Sequence, residues 1–159
     1  MRISLLDLAV GLVVLMLLAF AVTHFGRSPS TAPAVLASPT LTPGSLNPDV
    51  TQATIDSTIC VKGWTATVRP PESYTSDLKE RQMPLYGEAG SPSAYQEDHL
   101  ISLELGGNPT DPKNLWPEPY PRASDVDKIE NELNAKVCSG ELTLAAAQDD
   151  ESALKHEHG

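Results

Sequence analysis

Basic residues are scarce in this chain. Its 159 residues include 11 Lys and Arg against 21 Asp and Glu, which gives a formal net charge of −10 at pH 7. From Asp56 onward there are nine basic and nineteen acidic side chains, so that part of the chain carries the whole net charge. Broad binding to phosphate backbones depends on surfaces rich in Lys and Arg. The composition therefore argues against a protein that binds nucleic acid by charge alone.

Internal repeats are absent, and so is an unbroken apolar run of about 20 residues, the length that spans a bilayer. The longest apolar stretch, residues 8–22 (LAVGLVVLMLLAFAV), follows Arg2 and ends around Ala19-Phe20-Ala21. A basic start, a short apolar segment and small residues at its end are typical of a secretory signal. Extended back to Ile3, the segment is long enough to be an anchor. We therefore predict a signal peptide or N-terminal membrane anchor over residues 1–26, and a protein that is secreted, periplasmic or anchored to a membrane by that segment.

Residues 27–55 hold five prolines among Ser, Thr and Ala. Such a composition buries too little apolar surface to offset the entropy lost on ordering. The segment is predicted to be a flexible linker. A single domain is then expected over residues 56–159, which is a length at which extra covalent bracing matters.

Cysteine is nearly absent as well. The two cysteines, Cys60 and Cys138, lie near the two ends of the predicted domain. An exported protein meets an oxidising compartment, where such a pair tends to close. We expect a disulfide between them, with two separately buried thiols as the alternative.

The remaining pattern predicts an α+β domain. Residues 58–68, rich in β-branched side chains, predict a strand or hairpin, and residues 76–83 predict one or two helical turns. A strand is expected over residues 95–105 and a second one at Asn114-Leu115-Trp116, with a tight Gly106-Gly107 connection between them. A helix is expected from Ser124 to a stop at Gly140, followed by a last helix capped by Thr143. The helix from Ser124 has an apolar face of Val126, Ile129, Leu133 and Val137.

Residues 97–107 read EDHLISLELGG, and Asn114-Leu115 begins seven residues beyond Gly107. An Asp-His pair, a Gly-Gly turn and an Asn-Leu pair, in this order and before a helix, resemble the HNH endonuclease family. The resemblance covers the stretch from Glu97 to Tyr120 and continues into the following helix. It is nearest to a small exported bacterial subgroup, through the runs DHL, ELGG and NLWPEP and a later VCSG.

The resemblance implies a small ββα-metal finger, which is a two-stranded hairpin plus a helix, within a single domain that has a further C-terminal helix. It also implies that Asp98 binds a divalent metal ion, that His99 is the general base, and that Asn114 holds the loop and orients the site. Phosphodiester hydrolysis suits these residue types, because a neutral imidazole can take a proton from water beside a metal-polarised phosphoryl group. Adjacent strand residues point to opposite faces, so Asp98 and His99 converge only where the strand ends or bulges.

The chain departs from the family pattern at the start of the helix. The family places a second metal-binding histidine about nine residues past the asparagine, where this chain reads PRASD. Asp125 or Asp127 can supply an oxygen ligand there, which favours Mg²⁺ or Mn²⁺ over Zn²⁺. The same residues also fit a helix N-terminus stabilised by the dipole, without any metal. His156 and His158 lie in an acidic tail and are expected to be solvated.

Two functions follow from these patterns. The first is an exported, metal-dependent HNH-type endonuclease with nucleic acid as its substrate. The second is a non-catalytic secreted or anchored binding domain that keeps a degenerate finger as a scaffold and binds an unidentified protein partner. Asp98 and His99 discriminate between them, because a scaffold needs neither residue.

Overall fold

Two short antiparallel strands stand at the centre of the domain. The computed structural model describes residues 36–157; the predicted signal or anchor over residues 1–26 lies outside the described residues. Strand β1 (Tyr95–His99) pairs with strand β2 (Leu115–Pro119), with Tyr95 opposite Pro119 and His99 opposite Leu115. The Gly106-Gly107 turn lies in the loop between them, as predicted.

Residues 36–157 contain four helices besides the strand pair. They are α1 (Trp64–Val68), α2 (Glu72–Gln82), α3 (Arg122–Ser139) and α4 (Leu144–Glu157). Four short 3₁₀ turns complete the described structure: Ile55–Ser57, Pro92–Ala94, Leu103–Leu105 and Pro112–Asn114. The coarse prediction of an α+β domain with a two-stranded hairpin and a further C-terminal helix is confirmed.

The two long C-terminal helices follow their sequence signals. Helix α3 begins two residues before the predicted Ser124 and buries Val126, Leu133 and Val137 on one face. It ends at Gly140, whose φ of 79° is the left-handed conformation that glycine adopts without steric cost. Thr143 caps α4 as expected, because its Oγ1 accepts a hydrogen bond from the Ala146 amide at 3.2 Å.

One predicted strand is wrong, and another is shorter than predicted. Residues 58–68 form turns and helix α1 rather than a strand, although they are rich in β-branched side chains. Strand propensity takes effect only where a neighbouring strand supplies hydrogen bonds, and the described sheet contains β1 and β2 alone. The strand predicted over residues 95–105 stops at His99, after which Leu103–Leu105 forms a 3₁₀ turn.

The linker prediction must be corrected over residues 36–55. Ala37, Thr42 and Val50 are buried there, and the segment pairs with the loop between the two strands. The Asn47 amide donates to the Gly106 carbonyl at 2.9 Å, and the Asn108 amide donates to the Ser45 carbonyl at 2.7 Å. This proline-rich segment forms turns and irregular backbone, and it satisfies backbone groups of the loop instead of remaining free. The domain therefore begins about twenty residues earlier than predicted.

The main apolar core lies between α3, α4, the 103–105 turn and the segment that precedes α1. Its buried members are Val50, Ile55, Ile59, Ile101, Leu105, Leu133, Val137, Leu144 and Ala147. A smaller cluster, Ala37, Leu100 and Trp116 with Tyr86 packed against it, lies beneath the strand pair. Loop residues 100–105 are thus anchored by both clusters, which holds the end of β1 in a fixed place.

The predicted disulfide is confirmed. Cys60 and Cys138 are bonded, and their Cα atoms lie 5.5 Å apart, within the range that a disulfide can bridge. The bond joins the segment before α1 to the last turn of α3. No helix within residues 36–157 has the length and apolar character needed to cross a bilayer.

Removing the disulfide should destabilise the domain strongly. The bond closes a separation of 78 residues, for which the chain-entropy relation gives about 4 to 5 kcal/mol of stabilisation. We expect the double variant Cys60→Ser/Cys138→Ser to lose most of this amount in urea unfolding. A reducing agent should destabilise the wild type and leave the double variant unchanged. A loss below about 1 kcal/mol would contradict the prediction.

Candidate functional site

A cleft of about 320 Å³ lies beside the end of β1 and the first turns of α3. Its polar walls include Asp98 and His99 from β1, Asp127 and Glu130 from α3, and Arg69 from the end of α1. A second cleft of about 380 Å³ adjoins it and also contains Arg69, Asp98 and His99. Asp98 and His99 therefore converge on shared space, because the strand ends at His99.

His99 has a defined tautomer. Its Nε2 lies 3.1 Å from the Pro109 carbonyl, which can only accept, so Nε2 carries the proton in the neutral ring. Nδ1 then holds the free lone pair. Burial lowers the pKa of His99, and the nearby Asp98 carboxylate opposes this effect without reversing it. The imidazole is thus mainly neutral at pH 7.

Asn114 holds the loop between the strands. It is completely buried, and its side-chain oxygen accepts a hydrogen bond from the Ile101 amide at 3.0 Å. Its Nδ2 donates to the carbonyls of Ile101 and Asn108 at 2.9 and 3.0 Å. A β-carbon on Gly107 would lie 1.7 Å from the Ile101 carbonyl oxygen, so this close approach requires glycine. Asn114 thus fixes the backbone on both sides of the Gly-Gly turn.

Three carboxylates meet in the first cleft. Asp98, Asp127 and Glu130 each place an oxygen within 4.8 Å of the others'. Asp127 was predicted as a ligand from the sequence, whereas Glu130 was missed. Asp125 does not join them, because its exposed side chain pairs with Lys128 at 2.9 Å on the outer surface of α3. That contact with Lys128 also lowers the pKa of Asp125.

The ammonium of Lys155 lies behind these carboxylates, completely buried. Nζ donates to Asp98 Oδ2 at 2.9 Å, to Glu130 Oε1 at 2.6 Å and to the His99 carbonyl. Glu151 Oε1 lies 3.3 Å from Nζ, and the Glu151 carboxylate also accepts from the Ser102 amide at 3.0 Å. The last turns of α4 are thereby joined to β1, to α3 and to the loop.

Burial and charge pull the pKa values of this cluster apart. Burial alone would raise the pKa of Asp98, but Lys155 and a hydrogen bond from Glu118 lower it to about 2. Burial raises the pKa of Glu130, and the attraction of Lys155 opposes this effect. Burial would lower the pKa of Lys155, yet the surrounding carboxylates raise it well above its usual value. Burial raises the pKa of Asp127, to which the Asp98 charge adds.

Glu118 extends the acidic cluster beneath Asp98. It is completely buried, and neither of its carboxyl oxygens accepts a hydrogen bond from the described residues. Burial and the Asp98 charge raise its pKa to about 8, so at neutral pH it is mostly protonated and donates to Asp98. The Asp98 carboxylate is therefore held by Glu118 as well as by Lys155.

Three residues of the cluster, Glu130, Glu151 and Lys155, were missed from the sequence, although the helical period carried a signal for them. Asp127 and Glu130 are three residues apart, which places both on one side of α3. Glu151 and Lys155 continue the spacing of Leu144 and Ala147 along the buried face of α4. Charged residues at the buried positions of a helix indicate a buried ion pair, but the helical spacing does not identify which residues of other elements take part in it.

Comparison of the chain with protein-family models, with curated proteins and with solved structures finds no match.

Replacing Asn114 should loosen the loop on which His99 depends. Asn114→Ala leaves the buried Ile101 amide and two carbonyls without partners, and each such group costs about 1 to 3 kcal/mol. We expect a loss of about 3 kcal/mol in urea unfolding, and Asn114→Asp should recover little of it because a carboxylate cannot donate. The exposed Asn131→Ala on α3 is the matched control and should change stability by less than about 0.5 kcal/mol. Equal stability of Asn114→Asp and wild type would contradict the role of the Asn114 amide group in holding the loop.

Proposed function

We propose that the protein is an exported, metal-dependent phosphodiester hydrolase of the HNH type. In this proposal β1, β2 and α3 form a ββα-metal finger whose cleft receives the scissile phosphate of a nucleic acid. The observation that carries the proposal is the orientation of His99. Nε2 of His99 is hydrogen-bonded to the Pro109 carbonyl, which leaves the lone pair on Nδ1. His99 lines the same cleft as the three carboxylates.

The carboxylates fit a hard divalent ion. Asp98, Asp127 and Glu130 offer oxygen donors within 4.8 Å of one another, which suits Mg²⁺ or Mn²⁺ better than Zn²⁺. Asp98 and Glu130 each direct one oxygen at Lys155. The other oxygen of Asp98 accepts a hydrogen bond from Gln96 Nε2 at 3.3 Å, which a metal ion would have to replace or share. When bound, such an ion supplies charge stabilisation for a phosphoryl group and its leaving oxygen.

His99 then acts as the general base through Nδ1. The hydrogen bond from Nε2 to Pro109 sets the tautomer and orients the ring, so that the lone pair is available to a water molecule. When Nδ1 takes the proton, the Pro109 carbonyl continues to accept from Nε2 and holds the charged ring in place. Asn114 contributes indirectly, because it holds the loop that carries the Pro109 carbonyl.

Arg69 is the basic residue of the site. Among residues 36–157 no other Lys or Arg lines either cleft, and the remaining charged side chains there are acidic. A phosphodiester in this surrounding needs a cation to bind, and a guanidinium suits phosphate oxygens by shape and charge. We assign Arg69 to substrate binding.

One observation favours the alternative of a non-catalytic binding domain. Lys155 already pairs with two of the three carboxylates, so the cluster is stable without any metal ion. In that case the disulfide and the buried ion pairs serve only to brace a surface for a protein partner. The two functions differ in whether His99 and a divalent ion are required for any activity.

The nuclease proposal is tested by cleavage of plasmid DNA and of single-stranded DNA and RNA by the full chain. We expect cleavage with Mg²⁺ or Mn²⁺ and none with EDTA. In His99→Ala the rate should fall by a factor of about 10² or more, the usual scale for a general base. His156→Ala is the matched control, because His156 lies outside both clefts and bonds to the Thr42 carbonyl. Absence of metal-dependent cleavage by the wild type would leave the binding domain as the better proposal.

Arg69→Gln should weaken substrate binding more than turnover. Losing a charge-assisted hydrogen bond to phosphate costs about 1.5 to 3 kcal/mol, so KM should rise about tenfold or more. Arg81→Gln on α2, which lies outside both clefts, should leave KM unchanged. A fall in kcat with unchanged KM would show that Arg69 does not hold the substrate.

A further inference from the structure

Lys155 has the surroundings of a bound cation rather than those of an ordinary lysine. Its side chain is completely buried, and its three ammonium protons are used by Asp98, Glu130 and the His99 carbonyl. The Glu151 carboxylate supplies a third negative group at 3.3 Å. A buried ammonium is costly to desolvate, so it persists only with such a set of partners.

The carboxylates outnumber this one positive charge. Asp98, Glu130 and Glu151 contact Nζ, and Asp127 lies beside two of them. The cluster can thus accommodate more positive charge than Lys155 provides.

We propose that Lys155 is the resident cation of this cluster, which lets the domain fold without metal and keeps its affinity for a divalent ion low. The inference rests on the proposed function for the ligand set Asp98, Asp127 and Glu130. Lys155 acts through Asp98 and Glu130, so it is a positioning residue. Its ammonium draws one oxygen of each carboxylate away from the cleft and repels a second cation nearby.

The test replaces Lys155 by methionine, which has a similar length and no charge. In Lys155→Met of the full chain we expect Mn²⁺ to bind at least about tenfold more tightly than in wild type, measured by titration calorimetry. The unfolding temperature of the variant should fall in EDTA and recover with Mn²⁺, whereas that of the wild type should respond weakly. Lys128→Met, which removes an exposed ion pair on α3, is the matched control and should change neither quantity.

A second variant decides the matter if Lys155→Met does not fold. Glu151→Gln keeps an oxygen for the Ser102 amide but leaves the ammonium compensated mainly by Asp98 and Glu130. These two carboxylates become less available to a metal, so Mn²⁺ should bind about tenfold more weakly. Asp125→Asn removes one charge from the exposed surface of α3 and should leave the affinity unchanged. If both variants weakened Mn²⁺ binding equally, the effect would come from the net charge of the protein and not from Lys155, and the inference would be overturned.

The result separates this inference from the proposed function. Tighter Mn²⁺ binding by Lys155→Met supports the resident cation even if the wild type cleaves no nucleic acid. Equal or weaker Mn²⁺ binding by a folded Lys155→Met overturns it even if the wild type is an active nuclease.

Discussion

The buried ammonium of Lys155 is the interaction on which the rest of the site depends. It joins the last turns of α4 to the end of β1 and to the middle of α3, which are far apart in the chain. Burying these charges is costly, and removing one partner leaves the others uncompensated. The positions of Asp98 and Glu130 therefore depend on the packing of helix α4 against β1 and α3. The C-terminal helix is thus part of the site's construction, although it contributes no residue to the wall of the first cleft.

Side chains from α3, α4 and the end of the loop itself hold the loop between the two strands. Asn114 bonds to both backbone groups of Ile101, and Asn134 and Gln148 donate to the Glu104 and Leu105 carbonyls at 2.8 Å. The segment over residues 36–55 supplies further backbone partners. A loop with this many fixed groups does not need a long strand ladder to position His99. The two strands have only five residues each, and Asp98 and His99 lie at the end of β1.

If the acidic cleft receives a phosphodiester, as we propose, its charges require a cation between the two. The carboxylates repel phosphate unless a cation lies between them, and Arg69 supplies one positive charge at the rim. Salt should weaken the attraction between Arg69 and a phosphate, because exposed charges are screened over about 10 Å at moderate ionic strength. Selectivity would then come from the shape of the cleft and from the bound ion more than from a wide basic surface. This agrees with the low basic content of the whole chain.

The sequence by itself determined the order of strand, glycine turn, strand and helix, the apolar face of α3, its end at Gly140 and the cysteine pair. These features follow from local periodicity, turn chemistry and redox compartment, which need no knowledge of distant neighbours. Tertiary structure alone decided that residues 58–68 are not a strand, that residues 36–55 are packed, and that Glu130 and Lys155 meet Asp98 while Asp125 does not. Helical spacing shows which residues share a face, but the distance between atoms on different elements depends on how those elements pack.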